Sequence, residues 1–252
     1  MPYYDPSPQI IEKSLEELEF ILNWIRVHEE LGRNPVTVLV GGWAVDSYNP
    51  WYGSIDIDLV TNNRTKHSLM HILNRKRDYD HDRIGFHTVY KQTDYGPIII
   101  DFASRDEHYP FDGRVEELNF DILNRQTIIQ NVRNHVFAAV PTRSLLMLFK
   151  LKATWDRSLR LNSETSPDPD WEHGKLIKDY ADIIALLDPL HGGNEIDFDF
   201  LGEKLNEFDF LKECLRIIPE NRDAIEKYNR MDQRRVRERV EQLLQLTERG
   251  IS

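Results

Sequence analysis

The chain has 252 residues, 40% of them hydrophobic and 30% charged, with a formal net charge of -11 and one cysteine. This is the composition of a globular protein large enough to bury a core, and its acidic balance excludes a surface that grips nucleic acid throughout, though not a local basic cleft. The lone Cys214 excludes an intrachain disulfide and a cysteine-rich zinc site, and reads as a buried apolar residue on a helix.

The chain opens on MPYYDPSPQ, which has no basic segment leading into an apolar run, and no stretch approaches the length of a membrane span. A cytoplasmic protein without membrane association is expected. From Gln9 to Glu30 the apolar residues Ile11, Leu15, Leu18, Leu22 and Ile25 recur at three- and four-residue spacing, which predicts a helix, stopped by Gly32 and Pro35. Residues Val36 to Val40 form a β-branched run that predicts a buried strand. Gly41-Gly42 follows, then a short helix over Trp43 to Tyr48, and Pro50 and Gly53 mark a loop. Ile55 to Val60 reads as a second strand, with Ile55, Ile57 and Leu59 on one face and Asp56 and Asp58 on the other.

Further on, Thr65 to Lys76 predicts a helix, and Phe86 to Lys91 and Ile98 to Ala103 predict strands parted by a turn around Asp94 to Pro97. Leu118 to Val140 reads as short strands. After Pro141 the pattern turns helical, over Leu145 to Leu159, Trp171 to Leu187, Phe200 to Ile218 and Asn221 to Glu248. Asn162 to Asp170 is a polar linker, and Asp188 to Gly193 is a second break. A mixed α/β half, residues 1–140, thus precedes a helical half, residues 141–252. There is no internal repeat.

The chemistry concentrates where Gly41-Gly42 precedes Asp56 and Asp58. A Gly-Gly pair at a strand end lets backbone approach a ligand closely, and the free N–H groups of a helix starting there suit a polyphosphate. Two carboxylates side by side on a strand suit a hard cation such as Mg²⁺, which keeps other positions for water and substrate phosphates. Asp101 ends the apolar run Ile98 to Ile100, where an acid is costly unless paired, protonated or on a metal. It is the third candidate, as metal ligand or general base. Alone, an Asp-x-Asp is a common pattern of a sheet edge; the joint order of strand, Gly-Gly, loop, Asp-x-Asp strand and acid-ending strand is the specific signal. His87, His108 and His173 read as surface residues.

This order, carried by Gly41, Gly42, Asp56, Asp58 and Asp101, resembles the nucleotidyltransferase superfamily with a DNA polymerase β-like catalytic fold. The wording Gly-Gly-Trp-Ala-Val-Asp is similar to antibiotic-modifying members that act on aminoglycosides or lincosamides. Lys150-Leu-Lys-Ala153, Arg157 and Lys178-Asp179-Tyr-Ala-Asp182 resemble the Lys-Leu-x-Ala…Arg…Lys-Asp-x-x-Asp pattern of the abortive-infection nucleotidyltransferases, toxins of toxin–antitoxin pairs. The resemblance implies an α+β fold, a mixed-sheet nucleotidyltransferase domain followed by a helical domain. It implies Asp56, Asp58 and Asp101 as catalytic metal ligands for Mg²⁺ or Mn²⁺, a nucleoside triphosphate as substrate, and a cognate antitoxin as partner. It implies that Lys150 or Lys152 contacts the triphosphate. Residues i and i+2 do not share a helix face, so at most one of them points inward, against a solvated helix face for both, and Lys150 is favoured. Asp179 and Asp182 would shape the acceptor side, against a capping or surface role.

The sequence departs from the family in having Trp43 where many members have Ser, a change the antibiotic-modifying branch shares. Trp43 to Ile55 also contains no Lys or Arg, where many relatives carry a cation for phosphate; Ser54 offers a hydroxyl instead. The leading expectation is transfer of a nucleoside monophosphate to a hydroxyl of RNA, protein or a small molecule. The alternatives are a non-catalytic nucleotide sensor or toxin–antitoxin partner that keeps the fold, and a metal-dependent phosphohydrolase. The basic stretch Arg230 to Arg239 reads as a solvated helix face.

Overall fold

The computed structural model describes residues 6–29, 34–51, 53–81 and 87–249. The N-terminal residues through Asp5, Glu30, Gly32 and Phe86, on which parts of the expected elements fall, lie outside the described residues. The chain is α+β, with a mixed five-stranded sheet, a separate two-stranded ribbon and a run of helices. It divides into two compact units. Among the described residues, one comprises 6–108 together with Asn119–Thr142, and the other comprises Tyr109–Leu118 together with Arg143 onward.

The first unit begins with helix α1 (Pro8–His28), capped by the Ser7 hydroxyl and entered through Pro8, as suits a proline at the first helical position. Strand β1 (Val38–Val40) runs directly into helix α2 (Gly41–Tyr48), so the helix starts at the glycine pair and not after it. Strand β2 (Ile57–Thr61) leads to α3 (Asn63–Arg77), capped by Asn62. Then come β3 (Asp80–His81), β4 (Thr88–Thr93) and β5 (Gly96–Ser104). The sheet order is β1-β2-β5-β4-β3. Among the described residues of this sheet, β2 and β5 pair in parallel and the other pairs are antiparallel.

Alternation along the strands separates two faces. On one, Ile57, Leu59, Val89, Ile98, Ile100 and Phe102 are buried and form the core of this unit. Glu17 of α1, itself buried, ties α1 to α3 and β4 by accepting from Arg77 at 2.8 Å and Lys91 at 3.0 Å. The opposite face carries the acids. Strands β6 (Thr127–Arg133) and β7 (Val136–Pro141) form the ribbon that completes the unit.

The second unit contains α4 (Arg143–Asn162), α5 (Pro169–Leu187), α6 (Phe198–Glu207), α7 (Leu211–Ile217), α8 (Arg222–Tyr228) and α9 (Gln233–Arg249). The apolar spacing from Phe200 to Ile218 predicts one helix, but the chain leaves helical geometry at Phe208. The break lets Phe208 and Phe210 both meet Phe111, with ring centroids 5.0 Å apart in each pair. Phe111 thereby fixes Tyr109–Leu118 to the helices. The expected helix from Asn221 to Glu248 is also two, because Asn229 adopts the left-handed conformation at φ 48° and ends α8, a position Asn tolerates. Cys214 is buried on α7, and burial pushes its thiol up to about 11. No described helix is long and apolar enough to cross a membrane.

Candidate active site

The backbone ladder aligns four residues across the sheet. Val40 of β1 is in register with Asp58 of β2, Asp58 with Asp101 of β5, and Asp101 with Thr88 of β4. Register partners point to the same face, so Asp58 and Asp101 are neighbours on adjacent strands although 43 positions apart in sequence. Both are half-buried. Thr88 donates its hydroxyl to Asp101 Oδ1 at 2.6 Å. Asp56, also half-buried, falls one residue before β2 begins, so the expected strand over Ile55 to Val60 starts later than the spacing predicts.

Gly41 closes this row. It follows Val40, has φ +66°, and a Cβ built on it would overlap the Asp58 carboxylate. The residue therefore needs to be glycine on two counts, its left-handed backbone and its contact with Asp58. Gly42 is buried as the second residue of α2. Ser54 is buried in the loop ahead of β2.

The loop between α2 and β2 is held by Asp46, which sequence reasoning passed over. Its buried carboxylate accepts from the backbone N–H of Trp51 at 2.9 Å and of Gly53 at 2.8 Å. Arg133 of β6 grips the same carboxylate through Nε and Nη2, each at 2.9 Å. The Arg133 guanidinium also lies over the Trp43 ring, 5.5 Å from its centroid. Trp43 is fully buried and donates its indole N–H to Ser14 of α1, whose hydroxyl donates to the Ile55 carbonyl. Gly53, at φ +84°, has no room for a Cβ against the Trp43 ring. The Gly-Gly-Trp-Ala-Val-Asp stretch thus acts as a local frame: its glycine admits Asp58, its tryptophan anchors to α1, and its aspartate holds the loop that returns the chain to β2. Arg133 reaches Asp46 from a strand 87 residues away. No local pattern in the sequence marks Arg133 for this.

The second unit has its own charge constellation. Lys150 of α4 is buried, and its ammonium lies 2.9 Å from Asp179 Oδ1 and 2.6 Å from Asp182 Oδ2 of α5. Lys178 reaches Asp182 at 3.0 Å, Tyr228 donates to Asp182 at 2.9 Å, and Arg157 binds both Asp179 and Glu172 at 2.9 Å. Burial pulls the Lys150 ammonium down, and Asp179 and Asp182 more than offset it, so the proton is held above the usual lysine value. Burial likewise pushes the Asp179 carboxyl up, but Lys150, Arg157 and Lys178 outweigh it and hold it well below the ordinary carboxylate range. Lys150 therefore points inward and Lys152 does not share its partners: Lys152 donates to the Pro110 carbonyl and Asp156. The inward lysine is committed to two carboxylates, a partner set distinct from the triphosphate contact that resemblance implies. Asp179 and Asp182 share one face of α5 and are both buried, not surface residues.

His108 and His173 are exposed, and His87 is partly exposed. The basic stretch from Arg230 to Arg239 is answered by its own surroundings, with Arg234 on Glu238, Arg237 on Glu220, and Arg239 donating to the Gly193 carbonyl. Arg234, Arg235 and Arg237 are exposed on α9, as a solvated helix face requires, whereas Arg239 is half-buried and Arg230 precedes the helix.

Among the described residues, no group of three or more His, Cys, Asp or Glu side chains converges closely enough to hold a metal ion. The pair Asp58 and Asp101 has hard oxygen donors on one sheet face, and Mg²⁺ characteristically takes one or two carboxylates and completes its shell with water and substrate phosphates. The donor set therefore fits such a cation. No family model matches this chain, and no curated protein is significantly similar to it.

Proposed function

We propose that the chain is a metal-dependent nucleotidyltransferase with a DNA polymerase β-like catalytic domain. The reading rests on one observation above all: Asp58 and Asp101 stand in register on neighbouring parallel strands, with Gly41 packed against Asp58. The sequence resemblance to the superfamily, and to its toxin and antibiotic-modifying branches, supports it.

In this reading Asp58 and Asp101 hold a divalent cation, Mg²⁺ or Mn²⁺, with Asp56 beside them. When bound, the cation offsets charge that develops on the transferred phosphoryl group. The backbone N–H groups at the start of α2 suit the phosphates of a nucleoside triphosphate. Asp101 takes the proton of the acceptor hydroxyl as its oxygen bonds to the α-phosphorus. The bond from that phosphorus to the bridging oxygen breaks, and pyrophosphate leaves. Arg133 and Asp46 keep the loop between α2 and β2 in place, and Lys150 organises the helical unit through Asp179 and Asp182.

A second reading is a nucleotide-binding sensor, or a toxin–antitoxin partner that retains the fold without transfer. Incubation with each α-labelled nucleoside triphosphate, Mg²⁺ and an extract of the source organism separates the two. Label in RNA, protein or a small molecule supports transfer and gives the acceptor class. Nucleotide binding without label transfer supports the sensor.

A further inference from the structure

Thr88 completes the row of register partners, and its chemistry is more specific than its place in a strand requires. A strand position of this kind is filled equally well by Val, which is β-branched and almost the same shape. What Thr adds is one O–H donor. That donor lies 2.6 Å from Asp101 Oδ1, so the Thr88 hydroxyl donates and Asp101 receives. Thr88 and Asp101 face each other directly across an antiparallel pair, a separation that lets a side chain as short as Thr reach without strain. Thr has few χ1 states in a strand, so its hydroxyl is a stiff support.

We propose that Thr88 is a positioning residue for Asp101, holding one carboxylate oxygen so that the group presents a fixed orientation to a divalent cation and to the acceptor hydroxyl. The inference rests on the nucleotidyltransferase reading above. Outer-shell hydrogen bonds of this kind orient the ligand that touches the metal, and removing one typically costs about 10- to 100-fold in metal affinity or activity.

The test compares wild type, Thr88→Val and Thr88→Ser by Mn²⁺ binding, followed by electron paramagnetic resonance, alongside kcat and KM for transfer. Thr88→Val keeps the shape and strand preference of the residue, so circular dichroism and the unfolding midpoint stay close to wild type. Mn²⁺ binding in Thr88→Val is expected to weaken by about 10- to 100-fold, with kcat falling more than KM rises, and Thr88→Ser restores both. If Thr88→Val binds Mn²⁺ as wild type does, or Thr88→Ser fails to restore binding, the inference is overturned while the transferase reading stands. If the wild-type chain itself neither binds Mn²⁺ nor transfers, the underlying reading is overturned and the inference with it.

Discussion

Gly41 and Asp58 occupy positions that exclude any larger residue at the first: a Cβ on Gly41 would overlap the Asp58 carboxylate, and the Gly41 backbone lies at φ +66°. The junction of β1 and α2 and the acid on β2 are therefore one structural unit. Gly41 serves the carboxylate by leaving it room.

Gly41→Ala tests this coupling. The left-handed backbone alone costs an L-residue about 1–2 kcal/mol, and displacement of Asp58 adds to that. The unfolding midpoint in urea should fall, and transfer should fall by about 100-fold if Asp58 moves by as little as an ångström. A Gly41→Ala chain with wild-type activity contradicts the proposed fit.

Asp182→Ala addresses the helical unit. Asp182 is 1% exposed and serves Lys150, Lys178 and Tyr228 at once. Removing it strands buried positive charge, which costs about 3–5 kcal/mol. Denaturant unfolding measures this directly. Replacing Lys152, whose partners are the Pro110 carbonyl and Asp156, provides the control and should cost far less.

The same network sets a pH dependence. Asp179 is held below its ordinary range when folded, so its contribution to stability is fully present above the unfolded value of about 3.9. It is lost as pH falls from there toward the depressed folded value. Stability measured across the acid range should therefore drop below about pH 4, and Asp179→Asn should flatten that drop while lowering stability at neutral pH. An unchanged acid limb in Asp179→Asn contradicts the assignment.

Local signals made much of this legible. The stripe of Ile11, Leu18, Leu22 and Ile25 marks α1, and the alternation around Ile57 and Leu59 marks β2, because burial on one face imposes those periods. The order Gly41-Gly42, Asp58, Asp101 identifies the acids, but their register across parallel strands is a tertiary fact. The clamp of Arg133 on Asp46 was invisible for the same reason: the partners share no local pattern. The helix breaks at Phe208 and Asn229 were hidden because apolar spacing continues through them. At Phe208 the chain turns for the aromatic contact with Phe111, which is remote in sequence. For Lys150 and Lys152 the helical spacing separates their faces but does not choose between them; the inward place of Lys150 and the two carboxylates that hold it are tertiary facts.

The central claim is that Asp58 and Asp101 act together in nucleotidyl transfer, and the most direct measurement is label transfer from an α-labelled nucleoside triphosphate by wild type and Asp58→Asn side by side. Asn keeps the size of the side chain and removes the charge, so the variant should retain its circular dichroism spectrum. The account predicts label on an acceptor with wild type and none with Asp58→Asn. Equal transfer by both chains would contradict it.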